Sequence, residues 1–508
     1  MIPIRIHRFL LFLIIVFTLG ARLCAQLGPL HGVDSMINTS MHDWKIPGLA
    51  VAIVKNDSVV FSKGFGVREV GKNLPVTDTT LFGIASLTKA FTAAAVGLLV
   101  DEGKMKWDDP VVKYLPDFRL YDCCITRQIT LRDLLAHRSG IPTTIRLWYG
   151  APISRSELVG RLRYLKPATG FRNTWTYNNI LFLAAGEAVA HTAGTSWDEF
   201  VRERVFLPLG MAHTFTSTDS LTSRRDVASP HAEADGNVQT IPRVNVDNIG
   251  PAALIISNAR DMARWVRLQL NEGTFKGWRI ISTAKIRETH SPQIPMPDWW
   301  APYLYNPDAN FISYGLGWTL DDYHGRKVVE HTGELNGMTS VLAMIPEERL
   351  GVVLLSNCDY PGMGSLRYLM ALKLSLFDKY LAGPSQDWMK ELARANADFA
   401  ARRNSATAKA ILERRRGTKP TLRLESYAGM YENPYYGKVT IKSEAGRLVF
   451  SYSPLYTGPL THWQDDTFDA SWSDASLGGS YITFSIDRDG SVEGLSWEGS
   501  GEFKRVLR

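Results

Sequence analysis

Residues 48–54 and 59–66 each alternate apolar with polar or small positions, and the polar triplet Asn56-Asp57-Ser58 lies between them. A period of two interrupted by a turn predicts a β-hairpin. Residues 82–85 then lead into a helix that begins at Ser86 and continues through the apolar stretch 90–100. From 100 to 260 the spacing is mostly helical, most clearly at 131–136, 156–165 and 180–193. Strand patterns return at 318–321, 327–331, 340–345 and 351–356, and 366–381 reads as a closing helix. This order predicts an α+β fold, an antiparallel sheet flanked by helices with a helical subdomain inserted before the later strands.

The pattern changes twice more. Residues 383–420 are polar, charged and alanine-rich, as expected of a helical linker, and the cluster Arg414-Arg415-Arg416 with Lys419 reads as its solvated end. From 421 to 508, aromatic residues such as Tyr431, Phe450, Phe468, Phe484 and Trp497 alternate with polar ones across short runs broken by Gly, Asn and Asp. That is the pattern of a separate all-β domain whose aromatic stripes form its own core. Asp487-Arg488-Asp489-Gly490 reads as one of its hairpin turns. Any chemistry is expected within 27–382, with the tail shaping access to it.

At the other end, Arg5, His7 and Arg8 precede an apolar run at 9–21 that is too short to span a bilayer comfortably, and Leu23-Cys24-Ala25 offers a cleavage site before Gln26. Residues 1–25 are expected to be a signal peptide that sends the chain to a periplasmic or secreted location. Lipid anchoring through Cys24 is the alternative, although Ala21-Arg22-Leu23 lacks the usual leucine and small residue of such a site. No later segment reads as a membrane span.

Composition narrows the function without choosing it. The chain has 508 residues, 45% hydrophobic and 21% charged, with a net charge of +6. Those values fit a globular protein of more than one domain and argue against a nucleic-acid role. Beyond Cys24 the cysteines are Cys123, Cys124 and Cys358, an odd set that reads as buried thiols rather than a disulfide framework. No metal motif occurs, and neither a metal nor a cofactor is expected. Trp299, Trp300, Tyr303 and Tyr305 sit in a long loop suited to wall a cleft.

The candidate chemistry begins at Ser86-Leu87-Thr88-Lys89, a serine and a lysine one helical turn apart. A lysine there can face the serine and take its proton. Ser282-Thr283-Ala284-Lys285 has the same spacing, so the tetrad alone proves little. Tyr177-Asn178-Asn179 and His331-Thr332-Gly333 follow at a distance, although Tyr431-Glu432-Asn433 also fits the Tyr-x-Asn form. The ordered set S-x-x-K, Y-x-N, [K/H]-T-G across about 250 residues is much rarer than its parts.

With these motifs the chain resembles the serine β-lactamase and penicillin-binding-protein superfamily, most closely its class C branch with the related esterases and D-amino-acid peptidases. Leu134-Leu135-Ala136-His137-Arg138-Ser139-Gly140-Ile141-Pro142, Trp107-Asp108-Asp109-Pro110 and Tyr314-Gly315-Leu316-Gly317-Trp318 are similar to further segments of that family. The tail resembles the lipocalin-like barrels appended to some members. The resemblance implies Ser86 as nucleophile, Lys89 as base and Tyr177 as proton shuttle. It implies Asn179 on the flank of the substrate, and Gly333 where backbone approaches it. The N–H groups of Ser86 and Glu334 would then form an oxyanion hole. His331 stands where better-known members carry lysine, which weakens the case for β-lactam hydrolysis and favours small amides or esters. His137 reads as a buried structural residue. The partner implied is a small molecule or short peptide; an acyl-trapping penicillin-binding module, or a true β-lactamase, is the alternative reading.

Overall fold

The computed structural model describes residues 28–506 except 235, 298–305, 307–308, 360–363, 382–385 and 475–476. The expected signal peptide, Cys24 and the loop with Trp299, Trp300, Tyr303 and Tyr305 lie outside the described residues.

An eight-stranded antiparallel sheet runs in the order Ser58–Gly66, Gly48–Lys55, Leu350–Ser356, Met338–Ile345, Arg326–Leu335, Thr319–Tyr323, Ser313–Tyr314, Ile294–Pro295. The first two strands form the expected hairpin. Asn56 and Asp57 take φ of 51° and 62°, the pair of positive values that a two-residue type I′ loop requires.

Gly48–Lys55 is buried on both faces rather than one. Ala50, Ala52 and Val54 enter a core with Phe91 and Trp265, whereas Leu49, Val51 and Ile53 enter a second core with Ile37, Leu369 and Phe377. Helix Ala259–Leu270 covers the first face, and helices Val33–Asp43 and Gly364–Asp378 contribute to the second. A strand between two helical layers needs apolar side chains in both directions, which explains its nearly unbroken apolar run.

A buried charge cluster lies where this sheet meets helix Gly364–Asp378. Lys373 Nζ meets Glu330 Oε2 at 2.7 Å, both side chains being buried. Neither carboxyl oxygen of Asp321 has a hydrogen-bond partner, and burial, followed by the charge of Glu330, pushes its carboxyl well above the usual range. A raised carboxyl value means that native stability is fullest below the ordinary carboxylate range and falls as pH rises through the folded value. Asp321→Asn is therefore expected to raise the melting temperature by about 1–3 °C at pH 7 and by less at pH 4. Thermal melts at the two pH values check this; equal shifts at both would show that the charge of Asp321 is not the cause.

The expected linker is a long helix, Trp388–Glu413, but its first turns are docked. Trp388 and Leu392 are buried against the preceding domain, and the Trp388 indole donates to Asp378 at 2.9 Å. The tail is a closed eight-stranded antiparallel barrel, in which Gly429–Asn433 pairs with both Gly437–Glu444 and Gly501–Arg505. Its interior is filled by aromatic rings: Trp497 lies 4.9 Å from Phe450 and 5.7 Å from Trp472, and Phe484 4.9 Å from Tyr427. Eight strands leave room for little more than such side chains.

The cysteine reading needs correction. Cys358 is buried, but Cys123 and Cys124 are exposed, at the start of a helix of six residues whose N-terminus Asp122 caps. An amphipathic turn placed on the surface leaves them no core to enter. Among the described residues no helix is long and apolar enough to cross a membrane.

Candidate active site

The turn that presents Ser86 is strained. Ala85 has a φ of 48°, in the left-handed region that non-glycine residues rarely occupy. It bends the chain from the short strand Phe82–Gly83 through the 3-10 turn Ala85–Leu87 into helix Thr88–Asp101. The strain is held from outside: Ile84 N–H donates to Ile255 O at 2.9 Å, and Ser340 Oγ–H donates to Ile84 O at 2.8 Å. Strand Arg326–Leu335 lies directly against this turn because position 333 is glycine. A Cβ there would stand 2.3 Å from Ser340 Oγ and 2.4 Å from Ile84 O.

Lys89 is buried within an almost wholly buried helix. Its Nζ lies 2.7 Å from Asn179 Oδ1, 2.9 Å from Ala252 O and 3.0 Å from Ser86 Oγ. No carboxylate is among these partners, and burial alone holds its ammonium well below the ordinary lysine range. In the neutral amine two hydrogens go to the two oxygens that can only accept. The remaining lone pair then points at the Ser86 hydroxyl, which is the arrangement a general base needs.

Tyr177 completes the group, its hydroxyl donating to Ser86 Oγ at 2.7 Å. The neighbouring Asn178 caps helix Asn179–Ala193: Oδ1 accepts from Leu181 N–H at 3.1 Å and Nδ2 donates to Pro142 O at 2.8 Å. His137 braces the same segment. Its carbonyl accepts from Thr176 N–H at 2.7 Å, its Nδ1 accepts from Asn178 N–H at 3.1 Å, and its ring lies 4.3 Å from that of Tyr177.

Asn179 lies between Lys89 and the cavity. Its carbonyl oxygen is committed to Lys89, so only its amide nitrogen is left for a substrate. His331 is held from two sides. Nδ1 faces Thr332 O at 2.6 Å and must carry the proton, since a carbonyl only accepts; Nε2 then accepts from the Tyr314 hydroxyl at 2.8 Å. Burial, with the charge of Lys89 adding to it, pushes its pKa down to about 3. The imidazole is thus a fixed neutral group, not the titrating one that its ordinary value suggests.

Ser86, Tyr177, Asn179, His331 and Glu334 line one cavity of about 630 Å³, and Gly333 lies in the strand behind it. Water reaches Glu334 from the cleft, yet the surrounding protein pushes its carboxyl up to about 7, against the lowering charge of Arg367. Asp359, on the same wall, is pushed well above the usual range by burial and then by Glu334. Asp359, Trp148 and Tyr149 carry no motif, and nothing in the sequence pointed to them. The decoys are occupied elsewhere: half-buried Ser282 caps helix Thr283–Thr289 and donates to Asp101 Oδ1 at 2.6 Å, while Tyr431 is buried in the barrel.

The barrel touches this cleft. Leu477 is part of its wall, and Arg146, in the segment 143–150 beside it, lies over the Trp497 ring at 4.6 Å and donates to Ser500 Oγ at 2.7 Å. Arg161 Nη1 donates to Tyr435 O at 2.8 Å. The hydrogen-bonded group itself, Lys89 with Ser86, Tyr177, Asn179 and Ala252, is built from residues of the first domain.

Residues 33–375 match the protein family described as Beta-lactamase, and 413–506 match a domain of unknown function, DUF3471. The chain is 30% identical over 430 residues to a protein named "Unguisins hydrolase ungD'" from Aspergillus campestris, covering 80% of this chain and 76% of that one. Its fold is similar to that of an octameric penicillin-binding protein homologue from Pyrococcus abyssi, at a TM-score of 0.59 and 24% identity over 94% of this chain and 100% of the other. It is similar also to a class C beta lactamase from Rhodobacter sphaeroides, at a TM-score of 0.54 and 21% identity over 68% of this chain and 99% of the other.

Proposed function

The chain belongs to the beta-lactamase family, which is a serine hydrolase family, and from that premise we propose that it hydrolyses small amides or esters, of D-amino-acid peptide or esterase type, through an acyl-Ser86 intermediate. The observation that carries this reading is the convergence of Lys89 Nζ and the Tyr177 hydroxyl on Ser86 Oγ, at 3.0 and 2.7 Å.

In this mechanism neutral Lys89 takes the Ser86 proton as Oγ bonds to the acyl carbon. The negative charge that develops on the carbonyl oxygen is held by the N–H groups of Ser86 and Glu334. Tyr177 passes a proton to the leaving nitrogen or oxygen as its bond to the acyl carbon breaks, and is itself reprotonated from Lys89. A water molecule then attacks the ester, giving its proton back along the same relay, and the C–Oγ bond breaks to free Ser86. The neutral, buried His331 offers no charge to a carboxylate, and the acidic groups in the cleft oppose one. Uncharged esters and amides are thereby favoured over β-lactams and C-terminal carboxylates. The N-terminal 25 residues, as a signal peptide, would put this reaction outside the cytoplasm.

A fluorophosphonate probe followed by peptide mass spectrometry tests the assignment. The adduct is expected on Ser86 and absent from Ser86→Ala. Labelling of Ser282, or undiminished labelling of Ser86→Ala, would sink it.

A further inference from the structure

The described residues lining the cavity include two carboxylates, Glu334 and Asp359, and no lysine or arginine. The catalytic lysine lies buried behind Ser86, His331 is neutral, and Arg367 sits under the wall, buried on helix Gly364–Asp378. Burial holds both acids above their usual range against the one buried guanidinium, so a cation entering between them is what favours their ionised forms. The lining is otherwise rich in aromatic residues: Trp148, Tyr149, Trp175, Tyr177 and Tyr314 all border the same space. Aromatic faces attract cations and supply the apolar surface on which a small organic cation packs.

Two further contacts fix these groups. Thr339 Oγ1–H donates to Cys358 O at 2.6 Å, tying the short strand Cys358–Asp359 to the strand paired with Glu334, whose partner in register is Thr339 itself. Asn336 Nδ2 donates to Asp474 Oδ2 of the barrel at 3.0 Å, anchoring the turn that follows Glu334. Glu334 and Asp359 are therefore carried on connected strands beside the nucleophile rather than on free side chains at a rim.

We infer that the substrate of this site carries a cationic group, an ammonium, which Glu334 and Asp359 hold among the aromatic residues while Ser86 meets the scissile carbonyl. The inference rests on the acyl-Ser86 reading and names its substrate class. A carboxylate pair that repels itself when empty is relieved by a bound cation, so charge complementarity acts on the ground state and shows in the specificity constant.

Three esters sharing one acyl chain test this, one with a free amine, one with the amine acetylated, and one with it succinylated. In the native protein the ammonium ester should exceed the acetylated one in kcat/KM by about tenfold or more, the worth of one charge-assisted hydrogen bond, with the succinylated ester last. Asp359→Asn should lower the ammonium-to-acetyl ratio about tenfold, and Asp359→Lys should put the succinylated ester above the ammonium ester. Glu334→Gln is a second variant should either fail to fold, read as the same ratio. Hydrolysis of the acetylated ester with no preference for the ammonium ester, or a preference that Asp359→Asn and Glu334→Gln both leave intact, would overturn the inference while leaving acyl-Ser86 chemistry standing. No hydrolysis of any ester, with no probe adduct on Ser86, would overturn both.

Discussion

Lys89→Met is expected to slow acylation of Ser86 by about a hundredfold to ten-thousandfold in single-turnover measurements with an activated ester, the range for loss of a positioned general base. The buried amine has two oxygens, Asn179 Oδ1 and Ala252 O, to take its hydrogens, and the serine hydroxyl for its lone pair. Lys89→Arg should fail nearly as badly, because a guanidinium keeps its charge and cannot accept the proton. That second variant separates a base from a mere cation. Burial holds the ammonium of Lys89 well below its usual range, so acylation by native protein should rise with pH through that lowered value and then level off. Tyr177→Phe combined with Lys89→Met should cost far less than the product of the two single losses, since both act on one proton path. Multiplicative losses, or an active Lys89→Arg, would remove Lys89 from the role of base.

Gly333→Ala should be the most damaging change outside the proton relay. Its Cβ would press on Ile84 O and Ser340 Oγ at 2.4 and 2.3 Å, and the first of these is backbone that cannot swing aside. Either the strand retreats from the Ser86 turn or the turn, already strained at Ala85, gives way. Both displace the Glu334 N–H from Ser86, and losing one oxyanion donor costs about 10²–10³-fold in kcat. The substitution should also lower the melting temperature, since the close approach is part of the core. Probe labelling rates and thermal melts of the purified variant check this. Acylation within about threefold of native would show that the strand's approach does not set the oxyanion geometry.

Much of the fold was legible because its signals are local. The hairpin at Gly48–Lys55 and Ser58–Gly66 follows from alternation and a turn, and the barrel from short aromatic strands. The docking of Trp388 was not legible: a polar, alanine-rich helix reads as a linker until a partner surface takes up its one tryptophan. Cys123 and Cys124 were misplaced for the same reason in reverse, since thiols are buried on average but the turn that holds these two faces water.

Motif spacing was enough to pick out the residue types able to do chemistry, because short-range geometry enforces it. Ser86 and Lys89 share a helix face at three residues' separation, and Asn178 caps the helix that follows Tyr177. The states of these groups came instead from the packing of distant segments. Asn179 turned its oxygen to Lys89, His331 was fixed as a neutral ring by Tyr314 and Thr332, and Asp359 arrived beside Glu334 from another strand. Protonation and orientation depend on desolvation and on partners far away in the chain, and neither is written in the spacing of a motif.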